Sequence, residues 1–321
     1  MVDPMSTFDD ETNGETSSIG QVACVRPRIL LTGLRRSGKT SIQRVIFTKM
    51  QPSQTQFLES TPQLITNQFS CGSFINFQVQ ELPGQLHDFP SMPSNARQQN
   101  DDDDPTQMIG NGYNMERLLK RAHAVVYVID AQDEYSESIA RLNLIIQLGR
   151  RVNPKLRYEI FIHKVDQLAE EVKFEAQRDI HNQVRDRLAD LPGGIDAWPS
   201  VPTSNAQNVL INFHLTSIYD HSIFEAFSRV IQKLLPQFSC LEHLLTYLLS
   251  ASNIEQVFLF DVQTKISIAS DASPTDMKIY ELCCDMIDLS INMSEIYGKT
   301  DKESTEWKNE IRTNGRTLRF F

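Results

Sequence analysis

The chain has 321 residues, a net charge of −10 and five cysteines. This length is enough for one large or two ordinary domains with a substantial apolar core. The negative charge argues against nucleic acid or an anionic membrane surface as a general partner, because both are densely negative themselves. The cysteines form no C-x-x-C pair, which argues against a zinc site or a disulfide framework and favours a reducing, intracellular compartment.

The first 25 residues are polar and acidic, and we predict that 1–25 form a disordered tail. They lack a basic segment followed by an apolar core, so no signal peptide is expected. No apolar run is long enough to span a bilayer. Any membrane attachment is therefore expected to be indirect, through another protein.

Residues 33–40 have the sequence GLRRSGKT, which matches the G-x-x-x-x-G-K-[ST] spacing of a phosphate-binding loop. A strand is predicted directly before it (28–32) and a helix directly after it (40–50), which is the context that this motif requires. Main-chain N–H groups of such a loop face phosphate oxygens, and the helix N-terminus adds partial positive charge. Lys39 is then expected on the terminal phosphates and Thr40 on a magnesium ion. The alternative is a glycine turn that matches by chance.

Strands and helices alternate along residues 26–236. After the first strand and helix, the pattern predicts a hairpin with strands around 68 and over 74–82, a short helix over 115–122, and then alternating strands and helices at 124–130, 136–150, 157–162, 171–190, 209–215 and 222–235. This pattern favours an α/β fold with an open, mostly parallel six-stranded sheet and helices on both faces.

A long insertion loop is predicted over 86–115, with four consecutive aspartates at 101–104. Loops of this length are uncommon inside a compact domain. The aspartates raise the alternative of a calcium site, but the alternating oxygen ligands and the glutamate of a calcium loop are missing. A solvated loop is the favoured interpretation.

Four polar segments begin where a predicted strand ends: the phosphate loop, 81–85, 163–166 and 216–218. In open parallel sheets, ligands bind at the carboxyl ends of the strands. These segments are therefore expected to converge on a single nucleotide site.

The segment 163–166 (HKVD) indicates which base is bound. The carboxylate of Asp166 can accept both N1–H and the exocyclic amine of guanine, whereas adenine offers an acceptor at N1 and would be mispaired. The stem of Lys164 can cover one face of the base, and main-chain N–H groups near Ser217 and Ile218 can bond the guanine carbonyl. The alternative is an ordinary strand-to-helix turn with a capping aspartate.

A second region is predicted over 237–321, with a helix at 241–250, strands at 256–262 and 266–270, and a helix at 274–293. Residues 299–319 are charged and only weakly periodic, so no element is predicted there. Two strands alone make a marginal sheet. This region is therefore expected to be incomplete or to need a partner.

At this point the chain resembles a known family. The segment 81–85 (ELPGQ) is similar to the D-x-x-G-Q motif of Ras-like GTPases with Glu in place of Asp, and 163–166 is similar to their N-K-x-D motif with His in place of Asn. Several further segments resemble the sequences of Rag-family small GTPases of the C/D type. They are residues 27–31, 33–39, 57–61, 128–133, 161–166, 215–225 and 280–288.

The resemblance implies a Ras-like P-loop GTPase domain over 26–236 and a truncated roadblock-type α/β dimerisation domain over 237–321. It implies GTP or GDP with Mg²⁺ as ligands. The catalytic residues would be Gln85 and Thr61, and the metal would be held by Thr40, Thr61 and Glu81. The nucleotide-binding residues would be Gly33, Arg35, Arg36, Ser37, Gly38, Lys39, Thr40, Ser41, Gly84, His163, Lys164, Asp166, Ser217 and Ile218.

The resemblance also implies partners and a place in the cell. These are an A/B-type Rag GTPase as heterodimer partner, the Ragulator scaffold and the TOR kinase complex, in the cytoplasm and at the lysosomal surface, with the nucleus left open. Three functions remain in competition: a slow regulatory GTPase that relays amino-acid sufficiency, a nucleotide-binding scaffold that no longer hydrolyses GTP, and a P-loop kinase. One further hypothesis makes Arg35 or Arg36 an internal arginine finger; the other places both toward solvent or a partner.

Overall fold

The computed structural model describes residues 26–71, 75–84, 115–189, 210–252, 255–271, 273, 276–297, 309–313 and 316–320. The predictions made for 1–25, for Gln85 and for most of the insertion (86–114) lie outside the described residues. Within the described part of the chain, no helix is both long and apolar enough to cross a membrane.

The elements predicted between residues 26 and 236 are all present, with ends that differ by one or two residues. They are β1 (Arg28–Gly33), α1 (Lys39–Thr48), β2 (Ile65–Cys71), β3 (Ile75–Glu81), α2 (Met115–Arg121), β4 (Ala124–Asp130), α3 (Ser136–Val152), β5 (Arg157–His163), α4 (Glu170–Ala189), β6 (Leu210–Thr216) and α5 (Ser222–Leu234).

Two short 3-10 helices were not predicted. One, Pro52–Phe57, lies between α1 and β2, where no element was predicted, and the other, Val165–Gln167, follows β5. Pro52 begins the first of them, where its fixed φ suits a helix start and its missing N–H is not needed.

The six strands form one sheet in the order β2-β3-β1-β4-β5-β6. The β2–β3 hairpin is antiparallel, and every other pair is parallel. This confirms the predicted α/β fold with a mostly parallel six-stranded sheet. The carboxyl ends of β1, β3, β4, β5 and β6 consequently meet at one edge.

The central strands are buried on both faces, which explains why their sequences are continuous apolar runs. Along β4, Val126 and Val128 face a core shared with α1 and α5, while Val125, Tyr127 and Ile129 face a core shared with α2, α3 and α4. Both cores converge on the central strands. The sheet is therefore a rigid platform from which the loops at its edge project.

Beyond α5 the chain forms α6 (Phe238–Ala251), β7 (Phe258–Asp261), β8 (Ile266–Ser270), α7 (Met277–Tyr297), β9 (Asn309–Thr313) and β10 (Arg316–Phe320). The antiparallel pairs β7–β8 and β9–β10 are two separate two-stranded sheets. The pair β9–β10 corrects the expectation of no element over 299–319. Its strands are five residues each and rich in charge, so their alternation of apolar and polar residues is too short to recognise.

This C-terminal part packs against α5. Ile266, Ile268 and Tyr280 join the core that α5 shares with the large sheet. Ser228 on α5 accepts the N–H of Ser267 at 2.8 Å. Helix α6 differs from the others because none of its fourteen residues is buried, although it is mostly apolar.

Candidate functional site

A cleft of about 580 Å³ lies at the carboxyl edge of the large sheet. Its walls come from the loops that follow β1, β3, β4, β5 and β6 and from the stretch around Thr61. Of the residues predicted for the site, it is lined by Arg35, Arg36, Gly38, Lys39, Thr40, Ser41, Thr61, Glu81, Gly84, His163, Lys164, Asp166 and Ile218. Ser37 and Ser217 are buried just behind these walls, and Gly33 ends β1.

Gly38 joins the phosphate loop to α1. Its φ is 99°, a conformation that other residues adopt only with strain, and its carbonyl accepts the first helical bond from Ile42 at 2.9 Å. A Cβ at this position would lie 2.6 Å from Cδ2 of His163. Glycine is therefore required here both by the backbone and by the contact with the loop that follows β5.

Lys39 is the first residue of α1 and is 5% exposed. Its ammonium donates to the carbonyl oxygens of Gly33 at 3.0 Å and Leu34 at 2.7 Å. Burial lowers the pKa of Lys39 to about 8, and the nearby Glu81 carboxylate only partly offsets this. The cation thus lies inside the curl of the phosphate loop and would gain strongly from an anionic ligand.

Three oxygen-bearing side chains converge beside Lys39. Thr40 Oγ1 donates to Oε1 of Glu81 at 2.5 Å, and Thr61 Oγ1 lies 2.9 Å from Thr40 Oγ1 and 3.2 Å from Glu81 Oε1. Glu81 is 1% exposed, and its Oε2 has no hydrogen-bond partner among the residues that the structure describes. Mg²⁺ prefers oxygen ligands, and here it would find two hydroxyl oxygens and a carboxylate whose Oε2 makes no hydrogen bond in the described part of the chain. These residues fit a magnesium ion, and the longer side chain of Glu81 still reaches Thr40.

Gly84 packs closely against the backbone of the phosphate loop. A Cβ on Gly84 would lie 2.5 Å from both N and Cα of Arg35, and the Gly84 carbonyl accepts from Nη1 of Arg141 on α3 at 2.9 Å. The chain after β3 is thereby held next to the place where terminal phosphates would lie. Gln85, the next residue, is outside the described residues.

His163 ends β5 and links the loops. Its Nδ1 lies 3.0 Å from Oγ1 of Thr216 at the end of β6, and its ring covers Gly38. Burial, with a further contribution from the charge of Lys164, lowers the pKa of His163 to about 4. The imidazole is therefore neutral at physiological pH and ties the phosphate loop to the loop after β6.

Asp166 faces the cleft and is oriented by a short network. Its Oδ1 accepts from the hydroxyl of Ser217 at 2.8 Å, and the same hydroxyl accepts the N–H of Tyr219 at 3.1 Å. The N–H of Ser217 donates to Oγ of Ser222 at 2.9 Å. Ser217 thus acts on Asp166 through its side chain, and its main-chain donor is already used.

Arg35 and Arg36 are both exposed at the mouth of the cleft. Arg36 has a φ of 63°, in the left-handed region that is costly for a residue with a side chain. Neither arginine has a hydrogen bond or ion pair to another described residue that would direct it inward, which agrees better with the hypothesis of an outward orientation.

Sequence reasoning missed several residues that line or organise the cleft, and three of them lie close to the predicted base site. Gln132 and Tyr219 line it, and Asp130 ends β4 and bonds to Lys164. The rule that ligands lie at the carboxyl ends of strands applies to β4 as well, and it would have found Asp130 and Gln132.

Comparison with known proteins gives a consistent result. Residues 28–102 and 104–287 match the model of the Gtr1/RagA G protein conserved region. The chain is 46% identical to mouse Ras-related GTP-binding protein C over 91% of its own length and 67% of that protein's. It is 48% identical to mouse Ras-related GTP-binding protein D over 85% of its length and 54% of that protein's.

The similarity extends to fungi. The chain is 43% identical to GTP-binding protein gtr2 of Schizosaccharomyces pombe, over 87% of its length and 78% of that protein's. It thus spans between about half and four fifths of these relatives. On the family model and these identities, the chain belongs to the Gtr1/RagA family of G proteins, and its similarity places it with the C/D type.

Proposed function

We propose that the chain is a guanine-nucleotide-binding regulatory switch with slow GTP hydrolysis. The observation that carries the proposal is that one cleft contains both a buried cation for phosphates, Lys39, and an oriented carboxylate for the base, Asp166. The relatives with 43–48% identity are GTP-binding proteins by name, which supports the same ligand.

The base would be chosen by hydrogen bonding at its edge. Ser217 holds Asp166 from one side, so the carboxylate can accept two donors from guanine. Adenine would leave this carboxylate facing an acceptor, and an unpaired polar group in a closed site costs about 1–3 kcal/mol. Because the Ser217 N–H bonds Ser222, the Ile218 N–H is the candidate donor to the guanine carbonyl.

The terminal phosphates would lie between Lys39 and the Thr40, Thr61 and Glu81 group. A magnesium ion bound there would neutralise charge that develops on the phosphates. Thr61 and Glu81 would hold the ion, and their positions would depend on whether the terminal phosphate is present. Gln85 remains the predicted residue for orienting the attacking water. Without an activator we expect hydrolysis on the order of 10⁻⁴ s⁻¹.

We also propose that residues 26–236 form the nucleotide-binding domain and 237–321 a roadblock-type dimerisation domain that pairs with an A/B-type Rag GTPase. Support comes from the C/D-type similarity and from the apolar surface of the C-terminal part, where Leu244, Tyr247 and Ile296 are 59%, 72% and 70% exposed. We extend this proposal to the Ragulator scaffold and the TOR kinase complex as further partners, and to the lysosomal surface as the place where the chain acts.

The specificity of the base site tests the function. Replacing Asp166 with Asn gives a side-chain amide that can donate to the extra carbonyl of xanthine. We expect Asp166→Asn to bind GDP at least about tenfold more weakly and XDP at least about tenfold more tightly, the size of one or two hydrogen bonds. The measurement is competition against a fluorescent GDP analogue.

The matched control is Asp133→Asn, which makes the same change on an exposed residue of the loop after β4. It should leave both affinities unchanged. If the Asp166 variant kept the GDP affinity and the GDP-over-XDP preference of the unaltered chain, the base assignment would be wrong.

A further inference from the structure

Lys164 has a strained backbone whose stabilisation comes from outside its own loop. Its φ and ψ are 63° and 38°, a left-handed conformation. For a residue with a side chain this conformation is unfavourable and persists only where neighbours hold it. The neighbours that do so belong to the end of β4.

Three bonds connect the two strand ends. Nζ of Lys164 donates to Oδ2 of Asp130 at 2.5 Å, and the main-chain oxygen of Lys164 accepts from Nε2 of Gln132 at 2.8 Å. The carbonyl of His163 accepts the N–H of Ala131 at 2.9 Å. Both ends of Lys164, its backbone and its ammonium, are therefore fixed to the same short segment.

Asp130 organises this segment with both of its oxygens. While Oδ2 holds the lysine, Oδ1 accepts the N–H of Gln132 at 3.0 Å and shapes the turn that carries Gln132. The side chains of Asp130 and Lys164 are 17% and 34% exposed. This pair is more shielded than an ordinary surface salt bridge, so it holds its geometry better.

The anchored lysine has a direct consequence for the cleft. With its ammonium held at β4 and its backbone at β5, the four-carbon stem lies between the two strand ends. Gln132, Lys164 and Asp166 line the same cleft. A methylene stem held at both ends can cover the face of a ring with apolar surface, while Asp166 bonds to the edge of the ring.

We infer that Asp130 and Gln132 are positioning residues for the guanine base, acting through Lys164. This inference rests on the proposed function and deepens it, because it names the residues that hold the Lys164 stem against one face of the base. Face contact does not depend on base-edge chemistry or on the terminal phosphate. Loss of the contact between the Lys164 stem and the base should therefore weaken the binding of GDP and of GTP equally.

The experiment measures dissociation of a fluorescent GDP analogue from the full chain by stopped flow. Asp130→Asn keeps an oxygen that can accept from the Gln132 N–H but removes the charge that holds Lys164. We expect it to speed dissociation of both the GDP and the GTP analogue about tenfold, the effect of one charge-assisted bond. Asp133→Asn, three residues along, should dissociate like the unaltered chain.

Two further readouts separate positioning from a general effect on folding. Lys164→Met keeps the stem but removes the ammonium, so Asp130→Asn should add nothing in that background. In about 1 M KCl the Asp130–Lys164 pair, which is partly buried, should be only partly screened, so dissociation from the unaltered chain should speed up by less than it does in the Asp130→Asn variant.

The inference is overturned if Asp130→Asn dissociates at the unaltered rate, or if its effect is equally large with Lys164 and with Met at position 164. Competition with GDP and ADP on the unaltered chain is measured separately. Equal competition by the two would refute the proposed function itself, and the inference with it.

Discussion

The two ends of the large sheet both bury a carboxylate, but they satisfy it differently. Toward the amino end of β5, Glu159 is 1% exposed and all its acceptor capacity faces donors: His214 at 2.8 Å, Lys233 at 2.8 and 3.0 Å, and Asn212 at 3.1 Å. At the carboxyl end of β3, Glu81 is equally buried, yet its Oε2 has no partner in the described part of the chain.

This difference separates a structural charge from a functional one. A buried charge costs several kcal/mol unless it is paired. Glu159 meets that requirement because it is paired with side chains of β6 and α5. These bonds join β5, β6 and α5. At the carboxyl end, Glu81 and Lys39 act on each other only through their charges: among the described residues Glu81 accepts from two hydroxyls, and Lys39 donates to two neutral carbonyls. This arrangement suits an external cation beside Glu81 and an external anion beside Lys39, as the proposed function requires.

The largest effect is expected at the amino end. Glu159→Ala leaves His214 and Lys233 without their carboxylate, and loss of one partner of a buried pair costs roughly 3–5 kcal/mol of unfolding free energy. Nucleotide affinity per folded molecule should not change. Urea unfolding, followed by titration of the folded fraction with GDP, measures both quantities.

The same pair has a pH dependence with a defined sign. Burial by itself raises the pKa of Glu159, but His214 and Lys233 more than reverse this, so its pKa is lowered in the folded chain. The stabilisation is thus present above the unfolded pKa and is lost as pH falls through the folded pKa. The stability difference between the Glu159→Ala variant and the unaltered chain should shrink below about pH 4.5. A difference independent of pH would contradict the ionic account.

An intermediate effect is expected from Glu81→Gln. The amide oxygen can still accept from Thr40, so unfolding free energy should change by less than about 1 kcal/mol. The ligand set for magnesium is weakened instead, and Mg²⁺ should slow GDP dissociation about tenfold less than in the unaltered chain. Dissociation rates with Mg²⁺ and with a chelator give this ratio. A large loss of stability with an unchanged Mg²⁺ effect would make Glu81 a structural residue like Glu159.

The smallest effect concerns Lys39. Because its pKa is about 8 in the free chain, a growing fraction of Lys39 is neutral as pH rises. Phosphate binding needs the cation, so GDP affinity should fall roughly fourfold between pH 7 and pH 8.5. Isothermal titration at several pH values measures it, and Lys39→Met should bind weakly with no such dependence. A flat profile in the unaltered chain would mean that Lys39 stays charged despite its burial.

Much of this site follows from elementary features of the sequence. The continuous apolar run at 124–130 occurs because β4 is buried on both faces, and the polar segments after the strands mark the sheet edge at which the cleft lies. The spacing of the phosphate loop requires Gly38 and Lys39 at fixed places, and the structure has both where the loop joins α1.

Other features depend on contacts between distant segments and were not predictable. Nothing local to Asp130 indicates that its carboxylate holds Lys164, because the two meet only when β4 and β5 pair. The side-chain role of Ser217 depends likewise on Asp166 and Ser222. The strands β9 and β10 are short and charged, and their pattern is weaker than that of a strand buried on both faces.

The most direct test of the account is titration of the nucleotide-free chain with GDP and with ADP in the presence of Mg²⁺. Phosphate contacts are common to both ligands, so the difference isolates the base. The account predicts that GDP binds at least about a hundredfold more tightly, the effect of two hydrogen bonds and one mispaired carboxylate. Affinities within about twofold of each other would contradict the assignment of Lys39 and Asp166 to one guanine-nucleotide site.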